Sequence, residues 1–158
     1  MIPEHLKYAP THEWFHVETK SITVGLTKHI IDELDRLLFL DLPKVGDEIL
    51  AGICFGEVES VGNLLDITSP MAGEVIAVNE RLFENLDILS NDPYVHGWLI
   101  KFKTTERHIL EELLSAQEYA AHIIKPQPAT HPRHKKPHSK SVSNKSVSSK
   151  SVKGKKRK

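Results

Sequence analysis

The sequence predicts a mainly β domain, a sandwich or flattened barrel, followed by a disordered basic tail. Three observations carry this. Short alternating apolar runs recur between Gly and Pro turns, only two stretches have helical periodicity, and basic residues collect at one end of the chain.

The elements follow in order. Ser21-Ile22-Thr23-Val24-Gly25-Leu26 alternates with period two and is assigned as a strand. Thr27 is placed as the N-cap of a short helix over 28–36, with Ile30, Ile31 and Leu34 on one face. The apolar run Leu37–Leu42 is closed by Pro43 and forms the next strand. Residues 53–61 alternate imperfectly, with Gly56 marking a bulge or a close approach. Gly62-Asn63 is a type I′ turn pair, which makes a hairpin here. A strand over Gly73–Asn79 follows the turn at Ser69-Pro70, and Trp98–Lys103 alternates cleanly. Ile109, Leu110, Leu113, Leu114, Tyr119 and Ala120 recur at three- and four-residue steps and predict one helix over 106–124, stopped by Pro126.

The chain divides at residue 125. Residues 125–158 hold twelve of the 21 basic residues and no acid, which leaves 1–124 with a formal charge of −12. The tail is Pro-rich, then His/Lys-rich, then repeats Lys-Ser-Val from Lys140, Lys145 and Lys150; its sparse valines cannot build a core. Residues 1–124 are long enough to bury about 65% of their unfolded surface. No apolar run approaches the roughly 18–20 residues of a membrane span. Residues Met1–Lys7 lack a basic stretch leading into an apolar one, and they are not the Arg/Ser-rich, acid-poor type, so neither a secretory nor an organelle-import leader is expected. The single cysteine, Cys54, cannot make an internal disulfide or a cysteine-based metal site, so a reducing cytoplasm is the expected setting.

Local chemistry points away from catalysis. His131, His134 and His138 lie in the tail without a scaffold, and His12-Glu13-Trp14 lacks the second histidine of a zinc helix. The body's histidines are therefore expected as surface or capping residues. Cys54 falls inside a predicted strand and is expected as a buried, inert thiol. Ser60 sits between Val58 and Val61 in a sheet context, and Gly46, Gly52 and Gly56 form no phosphate-binding loop. No metal site is assigned.

One ordered series of motifs is specific. His12-Glu13-Trp14, Val24-Gly25-Leu26-Thr27, Leu42-Pro43-x-Val45-Gly46, Phe55-Gly56-Glu57-Val58-Glu59-Ser60-Val61, Ser69-Pro70-x-x-Gly73-Glu74-Val75, Asn91-Asp92-Pro93-Tyr94 and Gly97-Trp98-Leu99-Ile100-Lys101 occur in turn. Over residues 8–124 the chain closely resembles the H protein of the glycine cleavage system. The resemblance implies a barrel-sandwich hybrid of two antiparallel sheets, as in lipoyl and biotinyl carrier domains, and a non-catalytic monomer. It also implies lipoate held as an amide on a hairpin lysine. That arm would visit a pyridoxal-phosphate decarboxylase, a folate-dependent aminomethyltransferase and a dihydrolipoamide dehydrogenase.

The sequence departs from that pattern at one position. The family reads Glu-Ser-Val-Lys, whereas here Glu59-Ser60-Val61 is followed by Gly62, and no lysine occurs between Lys44 and Lys101. Gly62 thus occupies the lipoyl-attachment position without an amine to acylate, and no cofactor is expected. Glu59 and Asp66 match family positions that help lipoate-attaching enzymes dock. The expectation is an H-like protein with a binding or regulatory role on its family's enzymes. Two alternatives stand beside it: a working carrier with lipoate attached elsewhere, and an anionic-surface or nucleic-acid binder acting through the tail.

Overall fold

The structure is a computed structural model and describes residues 1–125 and 133–134. Among the described residues, ten strands form two antiparallel sheets. The first, six-stranded, contains β1 (Lys7–Tyr8), β2 (Glu13–Val17), β3 (Ile22–Leu26), β5 (Glu48–Ile49), β8 (Gly73–Val78) and β9 (Ile100–Lys103), in the order β1-β2-β3-β9-β8-β5. The second contains β4 (Leu37–Asp41), β6 (Gly56–Ser60), β7 (Asn63–Ile67) and β10 (Arg133–His134), in the order β10-β7-β6-β4. Between them lies one hydrophobic cluster, which includes Phe15, Ile22 and Phe102 of the first sheet and Leu40, Val58 and Ile67 of the second. This is the two-sheet sandwich the alternating runs predict.

The expected strands are present, with trimmed ends. The 53–61 strand begins only at Gly56, because Gly52 at φ +75° turns the chain and leaves Ile53 and Cys54 exposed. The close approach expected at Gly56 is real: a Cβ there would stand 2.6 Å from the Asp41 carbonyl oxygen. The short helix α1 (Lys28–Glu33) is capped by Thr27, whose hydroxyl accepts from the Ile30 N–H, and it buries Ile30 and Ile31. It is shorter than the predicted 28–36, since Leu34 is already extended. Two single-turn helices, α2 (Arg81–Glu84) and α3 (Ile88–Asn91), have no counterpart in the periodicity.

The predicted 106–124 helix is two elements. Arg107–Glu112 is a 3-10 turn, Leu113 is extended, and α4 runs Ala116–Ile124. The break has a long-range cause. Leu114 exchanges both backbone hydrogen bonds with Tyr8, at 2.9 and 2.8 Å, so its peptide groups are committed to β1 rather than to a helix. Ser115 then starts α4 with a capping box completed by Glu118. The disorder expected for 125–158 concerns residues that lie outside those described, apart from Lys125 at the end of α4 and the two residues of β10.

A buried polar network fastens α4 to the body. The Tyr119 hydroxyl lies 2.8 Å from His12 Nδ1 and 2.7 Å from Thr27 Oγ1, and its ring stacks on Tyr8 at 4.8 Å. His12 is 3% exposed and adopts φ +85°, contrary to the expectation of a surface histidine. An unusual backbone conformation there is tolerated because its side chain and both neighbouring hydroxyls are mutually satisfied. Tyr119→Phe leaves buried His12 and Thr27 without that partner. It is expected to lower unfolding free energy by about 1–3 kcal/mol, read as a reduced urea midpoint at unchanged slope.

Candidate functional site

The site is built on the β6–β7 hairpin. Register pairs Gly56 with Ile67, Glu57 with Asp66, Val58 with Leu65, Glu59 with Leu64 and Ser60 with Asn63. Two residues, Val61 and Gly62, therefore make the turn. Gly62 has φ +86°, while neither Val61 nor Asn63 has positive φ. This is the pattern of a type II turn centred on Val61-Gly62, not the type I′ turn expected at Gly62-Asn63, in which both central residues need positive φ. The turn is tied to the start of β4 by the Val61 N–H, which donates to the Arg36 carbonyl at 3.0 Å.

Alternation sorts the hairpin's side chains. Val58 and Leu65 point inward with Leu40 of β4, all three buried. Glu57 and Glu59 of β6 and Leu64 and Asp66 of β7 take the outward positions. Of the residues singled out in the sequence, Glu59, Ser60, Val61 and Gly62 share the tip. Ser60 holds its expected sheet position; it is fully buried, and its hydroxyl has no hydrogen-bond partner among the described residues. Asp66 lies on the same outer face as Glu59 but beside Glu57, one outward row further from the tip.

The base of the hairpin is anchored by a buried acid. Glu13 of β2 is 1% exposed, and its Oε2 accepts from the Thr68 N–H at 3.1 Å. Burial pushes its carboxyl above the usual range, against the lowering effect of hydrogen bonds from Thr11 and Thr68. Glu13 thereby links the first sheet to the Thr68-Ser69-Pro70 segment that leaves β7.

Sequence reasoning missed two members of this face. Asp41 of β4 is in register with Glu57, which is in register with Asp66, so three acids form one row across three strands. Cys54 joins it: its thiol and the Glu57 and Asp66 carboxylates offer ligand atoms within 4.8 Å of one another. Partial burial of the sulfur pushes the thiol up, and Asp66 and Glu57 add to this. That keeps it protonated near neutrality, which disfavours both metal ligation and nucleophilic attack. The available signal was period two: acids at 57 and 59 in a β context must share one face.

The donor set at the tip does not fit a covalently attached lipoyl group. Position 62 offers no side chain, a Cβ there would meet nothing within 4 Å, and residues 45–100 contain no lysine. The space for an arm is present and the amine is not.

Fold and hairpin together define a carrier-type barrel-sandwich domain. The family model described as glycine cleavage H-protein matches residues 6–126. A glycine cleavage system H protein from a Synechococcus species is 43% identical over 119 residues, covering 75% of this chain and 92% of that protein. One from Alcanivorax borkumensis is 42% identical over 122 residues, covering 77% and 95%. The crystal structure of a glycine cleavage system H protein from Mycobacterium marinum superposes with TM-score 0.72 at 32% identity, covering 78% of this chain and all of that one. The chain belongs to the glycine cleavage H-protein family, whose members carry lipoate and are not themselves catalysts. Among the described residues no helix is long and apolar enough to cross a membrane.

The electrostatics of Cys54 give a direct check. Alkylation by iodoacetamide at neutral pH is expected to be slow, because little thiolate is present. Neutralising the neighbours with Glu57→Gln and Asp66→Asn is expected to speed it several-fold, at roughly tenfold per unit of thiol pKa recovered. The bimolecular rate followed by mass spectrometry reads the change.

Proposed function

We propose that this chain is an H-like protein that takes up no lipoate at the family's attachment position, does not carry aminomethyl groups, and acts instead by binding. Its partners on this reading are the family's own: the decarboxylase, the aminomethyltransferase and the dihydrolipoamide dehydrogenase, or the lipoate-attaching enzymes. Its setting is a reducing cytoplasm, and it works as a monomer.

One observation carries the reading. Gly62 stands at the tip of a hairpin whose flanks, register and supporting contacts are complete. Amide formation needs a primary amine, and glycine supplies none. The binding half draws support from the same contrast. A partner that recognises the hairpin face would still meet Glu57, Glu59 and Asp66 on this chain. Docking without an arm makes a competitive ligand, because it occupies a site and delivers nothing.

Two measurements test the two halves. With lipoate, ATP and a lipoate-attaching ligase, the full chain is expected to keep its unmodified mass. Gly62→Lys is expected to gain one lipoyl group, at a folding cost of roughly 1–2 kcal/mol for a side chain at positive φ. A lipoyl adduct on the unsubstituted chain overturns the proposal. Added in excess to a decarboxylase supplied with an authentic lipoylated carrier, the chain is expected to slow glycine–bicarbonate exchange; an unchanged rate removes the binding role.

A further inference from the structure

The acidic row on the hairpin face and the basic end of the same chain are complementary, and the fold brings them to one edge. From this we infer that the outer face of β4, β6 and β7 is a docking surface for the chain's own C-terminal segment, residues 135–158. This goes beyond the role proposed above and does not depend on what position 62 carries.

The face is strongly one-signed. On the three strands the accessible outer residues are the acids Asp41, Glu57, Glu59 and Asp66 with apolar Leu38, Phe39 and Leu64; the base in register with them is Arg133 of β10, opposite Leu64 at the edge. Asp41, Glu57 and Asp66 stand directly opposite one another across adjacent strands. A cationic segment laid over this row meets three carboxylates at strand spacing, the complement of closely spaced lysines. Phe39, 57% exposed, lies in the neighbouring row with Glu59 and Leu64, and supplies an apolar strip beside the acids.

The occupant is identified by charge and by delivery. Residues 135–158 hold ten basic residues and no acid, whereas residues 1–124 carry a formal −12. The segment also starts at this surface. β10 pairs antiparallel with β7, Arg133 opposite Leu64 and His134 opposite Asn63, so the chain is handed over at the outer edge of the hairpin. That pairing covers an edge that would otherwise present unpaired peptide groups.

Reach is sufficient. A segment of 24 residues can span at most about 80 Å of extended chain. The three strands are about 10 Å across from β7 to β4, and the acidic row lies about 10 Å along β7 from Asn63. Tethering of this kind gives an effective concentration in the millimolar range, so weak individual pairs suffice.

Carbodiimide cross-linking of the full chain at low salt, with peptide mapping of the monomeric fraction, tests this. Zero-length links are expected from lysines of 135–158 to Asp41, Glu57, Glu59 or Asp66. They are expected to fall about threefold or more near 0.5 M salt, where the screening length shrinks to about 4 Å. They should fall similarly in D41N/E57Q/D66N and, as a variant that leaves the folded body untouched, in K140Q/K145Q/K150Q. Links spread as densely over Glu48, Glu74 and Glu84 overturn the inference, as do links confined to cross-linked dimers, which would assign the face to a second copy.

Discussion

The pairing of β6 with β7 in one register is the constraint on which the site depends. Once Ser60 faces Asn63, only two residues remain to turn the chain, and position 62 becomes the tip whatever residue fills it. The same register sends Val58 and Leu65 into the core and Glu57, Glu59 and Asp66 outward. A slip of one residue would exchange those sets, burying three carboxylates and exposing the apolar residues. Packing at Gly56 against the Asp41 carbonyl, the Val61–Arg36 hydrogen bond and the Glu13–Thr68 contact hold the register from three sides.

Much of this was legible in the sequence where the cause is local. Period-two alternation located β3 and β9, an apolar run closed by Pro43 located β4, the turn at Ser69-Pro70 preceded β8, and Thr27 capped α1 as its residue type requires. Glu59, Ser60, Val61, Gly62 and Asp66 fell on one hairpin because their spacing leaves room for little else. Errors arose where distant partners decide. The apolar steps through Leu113 and Leu114 continue a helical period, but Leu114 pairs with Tyr8, more than a hundred residues earlier. The Ser115-x-x-Glu118 capping box marked the true start of α4 and competed with that periodicity. Cys54 sits in an apolar run that suggests a strand, yet the positive φ of Gly52 turns the chain before the strand begins. His12 is buried for a reason no window could contain, namely a hydroxyl on Tyr119.

Asp41 and Cys54 escaped notice for a related reason. A row of charges across three strands is a property of pairing, not of any segment. Asp41 closes one apolar run, Glu57 alternates within another, and Asp66 lies in a strand with little alternation of its own. Only the cross-strand register shows that they are neighbours. The consequence for the thiol is the same in kind: Cys54 is shifted by carboxylates three and twelve residues along the chain that the hairpin folds back beside it.

Tip and face answer to different forces. Glycine at position 62 suits the fold, because the site is open and its φ is positive. The outer face is the reverse case. Its carboxylates point away from the core, so core packing does not select them and the surface charge they meet does. The residue at the tip and the charges on the face are therefore independent within the fold, because changing either leaves the β6–β7 register intact. That independence is what the proposed binding role requires.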